Sequence, residues 1–156
     1  NSSDSKEEKA EKLSIIALNT VDIKGIGYYT LGKKRKEISP EKLKNYKELF
    51  EKYFLKSFTS RLTDYSDPKI SVLSAEKVNE KYTIVKTMLL KTDKKPEVKI
   101  NWRVYTKDPN KPLIRDLIVE GLSLARTQKE EFASILNTNN NNIDSLFEKL
   151  KQFVEN

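Results

Sequence analysis

The chain has 156 residues, 30 Lys plus Arg against 23 Asp plus Glu, a net charge of +7 and 37% hydrophobic content, a length that suits one domain with a single core. It has no His and no Cys, which excludes Cys or His zinc sites, thiol nucleophiles, His-dependent triads and disulfides. No apolar run approaches the roughly 18 residues of a membrane-spanning helix, yet six Phe, seven Tyr and one Trp supply enough bulk for a core.

The first predicted element is a helix from Asp4 to about Asn19, charged at first and then apolar at Leu13, Ile16 and Ala17. Asp22 is placed to cap a second helix carrying Ile23, Ile26 and Leu31. That helix forms against a cost of about 1 kcal/mol each at Gly25 and Gly27. Ser39-Pro40 is a strong helix start, because the Ser oxygen accepts from orphan amides while Pro pre-sets φ. The third helix then runs to about Leu62, with Leu43, Tyr46, Leu49, Phe50, Tyr53, Phe54, Phe58 and Leu62 on a broad apolar face.

From Pro68 the hydrophobic period changes from 3.6 to 2, and segments 69–79, 82–92, 97–107 and 113–120 read as four strands. Asn79-Glu80-Lys81, Asp93-Lys94-Lys95-Pro96 and Asp108-Pro109-Asn110 separate them. In the third, Val98, Ile100, Trp102 and Val104 alternate with Lys99, Asn101, Arg103 and Tyr105, so one face is apolar and the other polar. Short loops favour consecutive antiparallel hairpins. Two helices follow, from about Ser123 to Leu136 and from about Ile143 to Val154, with a break at Asn139 to Asn142 where Asn tolerates left-handed backbone. The expected fold is α+β: a curved antiparallel sheet of about four strands wrapped by helices in one domain, residues 1–156, whose first 20 residues form a helical segment.

Arginine is scarce, at Arg35, Arg61, Arg103, Arg115 and Arg126, so lysine supplies most of the charge. Residues 21–60 carry ten cations against five carboxylates and residues 61–112 twelve against seven, whereas 113–156 carry five against seven. The lysines are interleaved with acids, unlike the concentrated Arg and aromatic pattern of a nucleic-acid reader. Lys33-Lys34-Arg35-Lys36 is the densest run and the candidate contact for an anionic partner.

Two catalytic patterns fall short. Gly27 to Lys33 has the G-x-x-x-x-G-K spacing of a phosphate loop, but Lys34 stands where Ser or Thr must ligate magnesium, and no buried strand precedes it. Asp116 and Glu120 lie on one face of the fourth strand, where a carboxylate pair could serve acid–base chemistry or form a surface ladder. The apolar side chains aimed at one interior fit either a filled core or a ligand cavity.

The tract Val21-Asp22-Ile23-Lys24-Gly25-Ile26-Gly27-Tyr28-Tyr29-Thr30-Leu31-Gly32, with Ile38-Ser39-Pro40-Glu41 and the Phe50-to-Leu62 segment, resembles the MlaC-type, or toluene-tolerance, periplasmic phospholipid-binding proteins. A sharper block, Asp116-Leu117-Ile118-Val119-Glu120-Gly121-Leu122-Ser123-Leu124, is followed by Phe132-Ala133-Ser134-Ile135-Leu136 and Ile143-Asp144-Ser145-Leu146. This block is similar to the family's strand-to-helix signature and closing helix. Lys34 and Arg35 depart from the family's aromatics after Leu-Gly, and Gln128-Lys129 from its Tyr-Arg pair.

The resemblance implies an NTF2-like fold and a non-enzymatic carrier maintaining outer-membrane lipid asymmetry. It would shuttle a diacyl phospholipid between an inner-membrane ABC transporter complex, with its substrate-binding subunit, and an outer-membrane lipoprotein complex. Phospholipid is then cargo and no cofactor is expected. A start at Asn1-Ser2-Ser3 without Met fits a chain whose signal peptide has been removed. On that reading Phe50, Phe54, Ile84, Met88, Leu90, Ile100, Trp102, Ile118 and Phe132 are the candidate tail contacts, and Lys33, Lys34, Arg35 and Lys36 meet head groups or partners. The runner-up is an NTF2-like small-molecule enzyme using Asp116 and Glu120.

Overall fold

A computed structural model describes residues 5–62, 69–93 and 95–156. Asp4, Pro68, Lys94 and the side chain of Leu62, each used in the sequence reading, lie outside the described set. Five α-helices and five strands follow in the order α1 (Lys6–Thr20), α2 (Ile23–Leu31), α3 (Pro40–Leu62), β1 (Ile70–Lys77), β2 (Tyr82–Leu89), β3 (Val98–Tyr105), β4 (Leu113–Val119), β5 (Leu122–Ser123), α4 (Leu124–Thr138) and α5 (Ile143–Glu155). A 3-10 turn, Gly32–Lys36, joins α2 to the approach to α3.

The helix starts are set locally. Asp22 Oδ1 accepts from Gly25 N at 3.0 Å and Ser39 Oγ from Lys42 N at 3.2 Å. Ser123 Oγ accepts from Arg126 N and Asn142 Oδ1 from Asp144 N. Each bond satisfies a donor that the first helical turn leaves orphaned. Gly32 ends α2 at φ 57°, and Asn140 and Asn141 break α4 from α5 at φ 56° and 62°, the conformation expected of the Asn run.

All strands pair antiparallel in chain order, β1-β2-β3-β4-β5. The sheet therefore has one strand more than the sequence indicated. β5 is only two residues long, too short for a period to register, and is reached through Glu120 and Gly121 at φ 51° and 83°, the backbone of a tight two-residue hairpin. Register shifts at Val72/Ser74 of β1 and opposite Arg103/Val104 in β4 add bulges that bend the strands.

The buried core is helical. Tyr46 and Phe50 of α3, Phe132 and Leu136 of α4, and Ile143, Leu146 and Leu150 of α5 pack with Ala17, Ile23, Ile26 and Leu31. Ile114 is the sheet residue packed against this cluster. Gly27 brings α2 close to α3: a Cβ there would lie 2.9 Å from Phe50 Cδ2. The G-x-x-x-x-G-K run is thus helix and 3-10 turn, with its first Gly at a helix crossing.

Helices meet the sheet along β4. Val21 bridges Ile114 in parallel, Asp22 N donates to Ile114 O at 2.8 Å, and Ala125 N donates to Asp116 Oδ1 at 3.1 Å.

Candidate functional site

The strand register decides which side chains share a surface. Val85 pairs with Trp102, Thr87 with Ile100, Leu89 with Val98, Trp102 with Leu117 and Ile100 with Val119. Side chains opposite one another share a face, so Val85, Ile100, Trp102, Val104, Leu117 and Val119 form one apolar sheet face. Thr87 and Leu89 on this face are buried, but these six are only half-buried, and Ile70 and Val72 at its β1 end are 48% and 67% exposed. Trp102 Nε1 donates to Thr87 Oγ1 at 2.9 Å, which in turn donates to Ile100 O. The indole is thereby held against an otherwise apolar surface without an unmet donor.

The nine candidate tail contacts consequently fall on separate surfaces. Ile100 and Trp102 lie on the apolar face. Ile84, Met88 and Ile118 lie on the other, opposite Arg103, Lys99 and Asn101. Alternation within each strand is read correctly from the sequence, but antiparallel pairing matches even positions of β2 with odd positions of β3. Leu90 lies beyond the end of β2 and is 42% exposed. Phe50, Phe54 and Phe132 belong to the helical core, where the Phe50 and Phe132 rings meet edge-on at 6.3 Å and the Phe50 and Phe54 rings lie tilted at 6.2 Å.

The polar face carries a cleft of about 340 Å³ between α2, the 3-10 turn, β2–β4 and the start of α4. Arg35, Arg103 and Arg115 line it with Tyr28, Tyr82 and Asp22. The β4 bulge sets two adjacent residues, Arg115 and Asp116, beside Arg103, so strict alternation does not reveal that both face the cleft. Arg115 donates from Nε to Asp22 Oδ2 and from Nη1 to the Tyr82 hydroxyl, both at 2.9 Å. Burial alone would lower its pKa, but the hydrogen bonds and charges of Tyr82 and Asp22 outweigh burial and raise it. Its guanidinium lies 4.0 Å from the Tyr105 ring centre, and that of Arg103 lies 3.8 Å from the Tyr82 ring centre.

A model of the family described as MlaC protein matches residues 1–152. The chain belongs to the MlaC family. No curated protein is significantly similar to it. Among solved structures, it is similar to the phospholipid-binding protein of Ralstonia solanacearum in complex with a phospholipid. The TM-score is 0.78 at 16% identity, covering 96% of this chain and 84% of that one. At that identity the likeness establishes the fold, an α+β arrangement consistent with the NTF2-like expectation.

In this MlaC family member the carboxylates considered for catalysis are held apart. Asp116 accepts from Leu117 N, Ala125 N and the Ser123 hydroxyl. It joins β4 to α4. Glu120 sits in the β4–β5 turn with Oε1 accepting from Lys99 N at 3.0 Å. Of the basic run, Lys33, Arg35 and Lys36 are exposed, whereas Lys34 is half-buried, donating to Asn141 O at 2.6 Å and lying 4.0 Å from Glu37. The run is therefore divided between a free surface and a tie to the α4–α5 loop. The Arg and Tyr cleft is the feature that the sequence reading missed. The available signal was chemical: three of only five arginines meet at one place.

Proposed function

We propose that this MlaC family protein is a phospholipid carrier. It holds a diacyl lipid with its acyl tails on the apolar sheet face and passes it through the periplasm, between an inner-membrane ABC transporter complex with its substrate-binding subunit and an outer-membrane lipoprotein complex. The lipid is cargo, and the protein performs no chemistry on it. The observation that carries this reading is the half-buried apolar surface around Ile100 and Trp102, lying outside the helical core of a chain that belongs to this family. The phospholipid in the structurally similar Ralstonia protein adds support.

Physical cost shapes the mechanism. Withdrawing acyl chains from a bilayer forfeits roughly 0.8 kcal/mol per CH₂, so the carrier must offer a comparably dry surface. An empty cavity of ~300 Å³ at roughly 24 cal/mol per Å³ costs about 7 kcal/mol, comparable with a domain's whole stability. The unloaded protein therefore loosens, collapses onto the space or refills it. The half-exposed strands β1–β3, joined to the helices mainly through β4, are the part able to adjust.

Native mass spectrometry of freshly purified protein made in a bacterial periplasm, followed by lipid extraction, tests the reading. One phospholipid per chain is expected. Repeated isolation without phospholipid overturns it.

A further inference from the structure

We propose that the cleft lined by Arg35, Arg103 and Arg115 is an anion site that binds a phosphate group, carried by a lipid head group or free in solution. It lies on the polar sheet face, opposite Trp102, and so is separate from the surface assigned to acyl tails. Its existence does not depend on the carrier reading.

The charge balance points to an anion. Asp22 and Asp116 are the carboxylates lining the cleft among the described residues, and both are engaged. Asp22 caps α2 and holds Arg115, while Asp116 accepts two backbone amides and a hydroxyl. Three guanidinium groups against two committed carboxylates leave one positive charge, the complement of a phosphodiester. Lys24 and Lys47 add to the field, each 5.9 Å from the Tyr28 ring that Arg35 approaches at 5.8 Å. Like charges brought together this way repel unless a counter-charge joins them.

The donor geometry points to phosphate in particular. Guanidinium is planar and presents paired donors that match two phosphate oxygens, which an ammonium does not. In a chain whose cations are mostly Lys, Arg occupies all three cationic positions that line the cleft among the described residues. The Arg103 guanidinium lies over the Tyr82 ring and that of Arg115 over the Tyr105 ring, and the two tyrosines meet edge-on at 5.5 Å. Contact with a ring face consumes no N–H donor, and Arg115 gives two of its five donors to Asp22 and Tyr82, so further N–H groups are available. The donors are thus held in place before an anion arrives, which lowers the cost of binding one.

The test is a titration of the arginine Nε–H resonances with inorganic phosphate and, separately, with dihexanoyl phosphatidylglycerol below its micelle concentration. Sodium chloride at matched ionic strength is the control. Saturable shifts at Arg103 and Arg115 with either phosphate compound, absent with chloride, support the site. Response to inorganic phosphate alone identifies a free-phosphate ligand, and response to the short-chain lipid identifies a head group. R103Q is expected to weaken the response about tenfold, the loss of one charge-assisted contact, and R103K, which keeps the charge but not the fork, to weaken it several-fold. Arg103 is exposed, so these variants keep the fold, whereas Arg115 variants would also release Asp22. No shift with either compound, a response equal to that of chloride, or unchanged binding by R103Q overturns the proposal. If phosphate binds while purified protein carries no phospholipid, the anion site stands and the carrier reading fails.

Discussion

Arg115 and Asp22 are joined by a 2.9 Å hydrogen-bonded ion pair across the joint between sheet and helices. The same carboxylate caps α2 through Gly25 N, so one side chain starts a helix and fastens it to β4. D22A removes a cap, worth about 1 kcal/mol, and leaves a guanidinium without its partner. Arg115 is 33% exposed, so solvent screens part of that second loss. A total of about 2 kcal/mol is expected in urea unfolding, with D22N losing about half as much because its amide oxygen still caps. A change in D22A below about 0.5 kcal/mol, the scale of ordinary surface substitutions, contradicts this role.

Gly27 is expected to resist replacement. Alanine would gain about 1 kcal/mol of helix propensity, but its methyl would lie 2.9 Å from the Phe50 ring, itself buried against Tyr46, Phe54 and Phe132. Overpacking costs about 1–3 kcal/mol, so G27A is expected to be about 1 kcal/mol less stable than the parent by chemical denaturation. A stabilised G27A would show that α2 can move away from α3 freely.

How far these features were legible depends on whether they are local. Asp22, Ser39 and Ser123 announce helix starts because a cap needs only the next three residues. The alternation from Val98 to Tyr105 announces a two-faced strand for the same reason. Register is not local: periodicity alone assigns Ile84 and Trp102 to the same interior, and only the pairing of Ile84 with Arg103 and Val85 with Trp102 places them on opposite faces. The bulge at Arg115 and the two-residue β5 are likewise invisible to periodicity. The cleft depends on both register and bulge, so it emerges only from the fold. The family motifs, in contrast, are contiguous sequence and could be recognised directly.

Tyr46 makes stability sensitive to alkali. Thr30 donates its hydroxyl to Gly27 O, so Tyr46 donates to Thr30 Oγ1 at 2.7 Å. Burial raises the phenol's pKa well above its ordinary value of about 10, outweighing the opposite effect of the Thr30 hydrogen bond. The folded state therefore keeps a proton that the unfolded chain releases above about pH 10. Stability is fully present below that pH and falls as pH rises toward the folded-state pKa. Y46F is expected to be about 1 kcal/mol less stable at pH 8, with the gap narrowing above pH 10. A constant gap from pH 8 to 11 contradicts the assignment.

The basic turn separates docking from stability. Lys33 and Lys36 are exposed, while Lys34 holds the Asn141 carbonyl. K33Q/K36Q is expected to slow lipid transfer to anionic vesicles several-fold at low salt, with the difference vanishing near 0.5 M salt as screening shortens the reach of charge. Its unfolding midpoint stays within about 0.5 kcal/mol of the parent. K34Q, by comparison, is expected to lose about 1 kcal/mol of stability. Equal transfer rates for parent and double variant at low salt remove the docking role.

Trp102 is the only tryptophan and sits on the apolar sheet face, so its fluorescence reports directly on where acyl tails lie. The decisive measurement loads the protein with phospholipid brominated along the acyl chain and, in parallel, with unbrominated lipid, confirming one lipid per chain by native mass spectrometry. Strong quenching of Trp102 by the brominated chains alone is the expected result. Equal fluorescence from both loaded forms, with lipid demonstrably bound, would place the tails elsewhere and contradict the account.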